Sequence, residues 1–139
     1  RQKAYLTPMH YRAETSRLLD EMLEKGVVER SSSPWASPIV LIRKRDGSFR
    51  FCVDYRKLNA VTKKDAYPLP CIDDILDSLR GAQYFSTMDL QSGYWQIDMD
   101  EDAQAKTAVT CFRGFFQFRR MPFGLTNAPQ LFNGSWIAY

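Results

Sequence analysis

An α+β fold is predicted by three observations. Asp46-Gly47, lying between two runs of alternating side chains, is a strong β-hairpin signal. A second pair of short apolar runs flanks Arg113-Gly114. Leu18, Leu19, Met22 and Leu23 recur at helical spacing and are followed by Gly26, a fitting helix stop. With 139 residues the chain is one domain or part of one. Its 45% hydrophobic and 14% aromatic content supplies a packed core, which argues against disorder.

Taken in order, Thr7-Pro8 reads as the start of the first helix, with Thr7 as N-cap and Pro8 in the first helical position. His10, the only histidine, has no second ligand candidate nearby, which excludes His-based nucleophile or zinc chemistry. Ser31–Pro38 is a loop by composition. Pro38–Lys44 and Ser48–Tyr55 form the first hairpin, with Phe49, Phe51 and Val53 on one face of the returning strand and Arg50, Cys52 and Asp54 on the other. Arg43, Lys44, Arg45 and Arg50 crowd one hairpin end, where unpaired cations repel unless a polyanion such as a triphosphate joins them. A solvated basic tip is the alternative reading. Ala66–Pro70 is extended by its prolines. Ile72, Ile75, Leu76 and Leu79 give a short amphipathic helix ending before Gly81, expected to pack under a sheet. Its Asp73, Asp74 and Asp77 fall on the solvated side.

The stretch Tyr84–Met99, YFSTMDLQSGYWQIDM, alternates as a strand up to Leu90 and then turns at Ser92-Gly93. Asp89 thus ends a mostly buried strand beside the rings of Tyr94 and Trp95. A carboxylate there either caps the turn or binds a cation, because burying it unpaired is costly. Asp98–Asp102 reads as helix N-terminal acids complementing the dipole rather than a metal cluster. Thr107–Phe112 and Phe115–Phe118 make the second hairpin. In Met121–Phe132, Gly124 permits close backbone approach, and a helix containing Pro129 begins at Asn127 or Ala128.

Charge is unevenly spread over a net +3. Residues 43–64 carry eight Lys/Arg against two Asp, and residues 73–102 carry eight Asp/Glu against one Arg. A basic lobe followed by an acidic one suits a protein that grips phosphates with one part and divalent cations with another. Cys52, Cys71 and Cys111 are odd in number and widely spaced, so they read as buried thiols of a reducing compartment. No apolar run approaches the roughly 18 residues of a membrane span, and no signal-peptide pattern opens the chain. The expectation is an intracellular protein, in a cytoplasmic particle or the nucleus, with no membrane partner and not secreted.

Four strings, RFCVDYRKLN at Arg50–Asn59, Pro68-Leu69-Pro70, YFSTMDLQSGYWQIDM and MPFGLTNAPQLF at Met121–Phe132, closely resemble, in that order, the fingers and palm of reverse transcriptases. The gypsy type of long-terminal-repeat retrotransposon and its retroviral relatives are the most similar group, and the resemblance runs from about Leu18 to Phe132. It implies an α+β right-hand polymerase fragment, an antiparallel sheet with helices packed on one face. Residues 1–83 would be mainly fingers with the approach to the palm, and 84–139 an incomplete palm with an intervening fingers segment. The implied reaction is RNA-directed DNA polymerisation, nucleotidyl transfer from a dNTP to a primer 3′-hydroxyl with two Mg²⁺ (or Mn²⁺) ions roughly 3.5–4 Å apart in the complete enzyme. Asp89 matches the first metal-binding carboxylate, assisted by the Leu90 carbonyl. Lys44 and Arg50 match the nucleotide-closing pair of the fingers hairpin, and Tyr94 matches the ring under the sugar that excludes a 2′-hydroxyl. Phe123 and Gly124 fall at nucleotide-binding positions, and Pro122, Asn127 and Pro129 at template- and primer-binding ones. Trp35 would anchor the fingers loop.

Partners implied are an RNA or DNA template with its primer, a dNTP and a dimer partner. The family's remaining carboxylates lie in a Tyr-x-Asp-Asp hairpin downstream of Phe132 that these residues do not include. Asn133–Tyr139 departs from the expected helix continuation, as a frameshift, splice or truncation would. The chain alone is therefore expected to be inert. A non-catalytic remnant that binds nucleic acid or a partner, and a decayed product that never folds stably, are the other readings.

Overall fold

The computed structural model describes residues 2, 5, 7–69 and 71–137. Helix α1, Met9–Glu24, leads into strand β1, Val28–Arg30. Its inward face is Thr15, Leu19 and Met22. Thr15 is tolerated there because its hydroxyl donates to the Tyr11 carbonyl at 2.9 Å. The helix closes in a Schellman motif: Gly26, at φ 65°, donates to Leu23 and Val27 to Met22. Val27 and Met22 are both buried, completing the hydrophobic contact of that motif. Pro8, not Thr7, occupies the N-cap position, and no side chain caps the helix.

Strands β2, Ser37–Arg43, and β3, Phe49–Val53, form the predicted hairpin. Ile39 faces Val53 and Arg43 faces Phe49. After α2 (Arg56–Val61) and α3 (Ile72–Ser78) comes a 3₁₀ turn at Gly93–Gln96. Then follow α4 (Glu101–Lys106), β4 (Val109–Cys111), β5 (Gly114–Phe118) and α5 (Ala128–Ile137). The sheet order is β1-β5-β4-β2-β3. It is mixed rather than wholly antiparallel: β2 runs parallel to β4 through Ser37–Val109 and Pro38–Thr110, while the other pairings are antiparallel. The reason is chain order, since β2 and β4 are joined by a long excursion and not by a hairpin turn.

Leu19 and Met22 pack with Val28, Ile39, Val109, Phe116 and Phe118 to make the core. Tyr55, 1% exposed, is also buried and donates its hydroxyl to the Thr107 carbonyl at 2.8 Å. Glu101 and Asp102 lie in the first turn of α4, as their charge requires.

Residues 71–90 differ from expectation. Tyr84–Leu90 forms no strand, and no strand among the described residues pairs with it. Tyr84 is 92% and Met88 93% exposed. The alternation is present, but hydrogen-bonded neighbours are what turn it into a strand. Helix α3 forms but packs under nothing; Ile72, Ile75, Leu76 and Leu79 are all exposed. Trp35 is likewise exposed, so it is no anchor, and Cys71 is not a buried thiol. Pro70 lies outside the described residues, as do Ala138 and Tyr139. Helix α5 continues through Asn133 to Ile137 despite the unexpected sequence.

Candidate active site

Three segments meet at two cavities that share Phe123. The first is the tip of the β2–β3 hairpin. Lys44 accepts from Gly47 at 3.1 Å and donates its own N–H to Ser48 at 2.7 Å. Gly47 takes φ 84°, which only glycine adopts cheaply. Asp46 Oδ1 accepts from the Ser48 N–H and hydroxyl, at 2.9 and 2.6 Å, and these bonds first, with Lys44 assisting, hold its carboxyl below the usual range. Lys44 and Arg50 both line a cavity of 280 Å³ with Gln91, Ser92, Trp95 and Phe123. Among the described residues neither cation has a salt bridge or a side-chain hydrogen bond.

Arg56 shows what a paired cation looks like here. It grips Asp54 with Nε and Nη2 at 2.9 and 2.7 Å, and the Tyr5 hydroxyl adds a third bond at 2.8 Å. The guanidinium hydrogen bonds hold the Asp54 carboxyl far below the ordinary carboxylate range despite some burial, with Tyr5 helping. So Arg56 is held in an ion pair, whereas Lys44 and Arg50 have none among the described residues.

The second segment is residues 88–97. Ser92 adopts the left-handed conformation, φ 51°, uncommon for a side-chain-bearing residue. Its carbonyl accepts from Trp95 at 2.8 Å, starting the 3₁₀ turn. The turn is tied to the end of β5: Met121 N–H donates to Ile97 at 2.9 Å, and Arg120 pairs with Asp98 at 2.9 Å. Met88, Asp89, Leu90, Gly93, Tyr94, Phe123 and Phe132 line a second cavity of 350 Å³. The Asp89 carboxylate is exposed, and nothing among the described residues pairs with it.

The third segment is Met121–Asn127. Met121 and Pro122 are buried, whereas Phe123 is 52% exposed and lines both cavities. Its ring meets that of Tyr94 at 4.9 Å, and Phe132 meets Tyr94 edge-on at 5.3 Å. Gly124 takes φ 95° with Tyr55 and Val53 behind it. Asn127 and Pro129 stand at the start of α5; the Asn127 carbonyl accepts from Leu131, and its side-chain amide is engaged by Lys63 and Asp65.

Lys44 and Arg50 therefore line one cavity and Asp89, Leu90 and Tyr94 a second, with Phe123 lining both and Gly124 next to it in the chain. Pro122 lies buried beneath, and the Asn127 amide faces inward to backbone. Sequence reasoning passed over Asn59, which bonds to the Gly124–Thr126 loop, and Phe132, which walls Tyr94. No local signal announced the first, because its partners lie 65 and 67 residues along the chain. No group of three or more His, Cys, Asp or Glu that could hold a metal lies among the described residues.

Residues 42–135 match the family described as reverse transcriptase (RNA-dependent DNA polymerase). The chain is 43% identical over 135 residues to the retrovirus-related Pol polyprotein from transposon opus of Drosophila melanogaster, covering 94% of this chain and 14% of that protein. It is 38% identical over 133 residues to the enzymatic polyprotein of cauliflower mosaic virus (strain Strasbourg), covering 90% of this chain and 20% of that protein. Among solved structures, prototype foamy virus protease-reverse transcriptase superposes with a TM-score of 0.86 at 26% identity, over 99% of this chain and 18% of that one. The foamy viral enzyme in complex with RNA/DNA hybrid superposes equally well, TM-score 0.86 at 28% identity, over 99% of this chain and 18% of that one. The chain thus spans under a third of the relatives it matches, and it belongs to the reverse transcriptase family.

Proposed function

We propose that this chain forms the nucleotide-binding groove of an RNA-directed DNA polymerase of a retrotransposon-like element. One observation carries the reading: Phe123 lines a cavity holding Lys44 and Arg50, beside the paired Glu21 and Lys25, and also the cavity that holds Asp89 and Tyr94. A nucleoside triphosphate needs cations for its phosphates, a flat wall for its sugar and base, and a carboxylate near the reacting phosphate. The two cavities offer these in sequence.

In this reading Lys44 and Arg50, which have no salt bridge or side-chain hydrogen bond among the described residues, hold the triphosphate oxygens by charge-assisted hydrogen bonds. Tyr94, braced by Phe123 and Phe132, forms the floor beneath the sugar and rejects a 2′-hydroxyl by contact. A primer 3′-hydroxyl then attacks the α-phosphate, giving up its proton to solvent; the new O–P bond forms as the bond to the leaving pyrophosphate breaks. Holding the reactants in line supplies much of the acceleration. The Asp89 carboxylate and Leu90 carbonyl are oxygen donors of the kind that bind Mg²⁺ or Mn²⁺, and such ions neutralise charge on the reacting phosphates. Asp89 alone cannot hold two of them, so residues 1–139 by themselves are proposed to be inactive. The partners proposed are a dNTP and a primer on an RNA or DNA template.

Primer extension on an RNA template tests this in the complete polymerase polypeptide carrying these residues. Template-dependent incorporation should vanish in Asp89→Asn, and residues 1–139 alone should give none. Undiminished extension by Asp89→Asn would remove Asp89 from the chemistry.

A further inference from the structure

The groove's floor hangs on a loop with no regular structure. Gly124–Asn127 has no strand neighbour among the described residues, yet it joins Phe123 at one end to α5 at the other. Two asparagines supply the missing ladder. Asn59, in α2, donates from Nδ2 to the Gly124 carbonyl at 2.8 Å and accepts with Oδ1 from the Thr126 N–H at 3.0 Å. Asn127 repeats the pattern in reverse: Nδ2 donates to the Lys63 carbonyl at 2.9 Å, and Oδ1 accepts from the Asp65 N–H at 3.1 Å. Each amide thus bridges the C=O of one residue and the N–H two residues on, as a strand edge would. An amide carries both the donor and the acceptor such a bridge needs, on two separate atoms, whereas a carboxylate lacks the donor and an ammonium group the acceptor.

Resting on the polymerase reading, we propose that Asn59 and Asn127 are positioning residues that set the Phe123 ring against Tyr94, and hence the fit of the incoming nucleotide. Phe123 is half exposed and cannot fix itself by burial. Its neighbour Gly124 is held from behind, where a Cβ would stand 3.6 Å from the Tyr55 ring and 3.7 Å from the Val53 carbonyl. Tyr55 in turn is locked to Thr107 and immediately precedes the helix that bears Asn59. The reciprocal amides therefore join α2 and the segment just after it, which follow the basic hairpin in the chain, to the loop next to Phe123.

The test uses the complete polymerase with Asn59→Ala and Asn127→Ala. Hydrogen exchange at the Thr126 amide should quicken about tenfold in Asn59→Ala, and at the Asp65 amide in Asn127→Ala, while β2–β3 amides keep their rates. In Asn59→Ala the nucleotide KM should rise about tenfold with kcat and primer–template affinity within about twofold. Unchanged exchange overturns the clamp. A joint fall of kcat, primer–template affinity and Tm overturns the positioning role in favour of plain structural support. Should the unsubstituted protein incorporate no nucleotide, the polymerase reading fails, and the exchange rates still decide the clamp.

Discussion

Gly93 stands where the Tyr94 wall meets α5, and replacing it with alanine should disturb that wall by a known amount. A Cβ on Gly93 would lie 2.9 Å from Phe132 Cζ and 3.0 Å from Cε2. Carbon atoms settle at about 3.5–4.0 Å, so the ring must retreat by roughly 0.5–1 Å. Turning it off its rotamer costs about 0.5–1.5 kcal/mol. Loosening its edge-on contact with Tyr94, now 5.3 Å between centroids, costs about as much again. Against this, losing a glycine stiffens the unfolded chain by about 0.4–1 kcal/mol. The net expectation is a destabilisation of about 1–2 kcal/mol. With Phe132→Leu in the background the far end of the ring is gone, so the same Gly93→Ala change should become neutral or stabilising. Urea unfolding of the four proteins measures this reversal. Equal effects of Gly93→Ala in both backgrounds, within about 0.5 kcal/mol, would mean the ring does not meet the new methyl. In the complete polymerase Gly93→Ala should also relax discrimination against ribonucleotides by about tenfold, since a kcal-scale shift of Tyr94 is being read out. Lower stability with unchanged selectivity would separate Tyr94 from sugar choice.

Two further outcomes are expected. Arg50→Ala in the complete polymerase should raise the nucleotide KM by about 10- to 100-fold while leaving primer–template affinity nearly intact, because one charge-assisted contact is lost; equal losses in both measurements would make Arg50 a general nucleic-acid contact. Asp54→Asn should lower Tm near neutral pH. The folded carboxyl lies below its unfolded value of about 4, so its contribution is present above that pH and is lost as pH falls through the folded value. The gap between the two proteins should therefore shrink on acidification below about pH 4, and a gap that stayed constant down to pH 2 would show that the Arg56 and Tyr5 contacts do not stabilise the ionised form.

What the sequence disclosed depended on whether the signal was local. The β2–β3 hairpin was legible because Asp46-Gly47 and its flanking alternation lie within a few residues of one another, and its turn bonds are equally local. Helix α1 was legible because its stripe and its Gly26 stop are both encoded in succession. Tyr84–Leu90 carries an equally clean period of two, but that pattern says only which side chains share a face. Whether a strand forms is decided by a neighbour, and none lies beside it among the described residues. The same holds for the apolar side of α3. The asparagine clamp was illegible for a related reason: its bonds join positions 62 to 67 residues apart, with no periodicity to announce them. Asp89 sits at the border of these two regimes. On its C-terminal side the Ser92 turn, the tie from Met121 to Ile97 and the Tyr94–Phe123 contact fix the backbone. On its N-terminal side no pairing does. A carboxylate meant to hold a cation against a phosphate must be placed to within a fraction of an ångström, because misplacement by about 1 Å costs on the order of a hundredfold in rate. If the aromatic cluster walls the sugar site as proposed, it therefore has a second duty: together with the Ser92 turn and the Met121–Ile97 bond, it anchors the segment that carries Asp89 among the described residues.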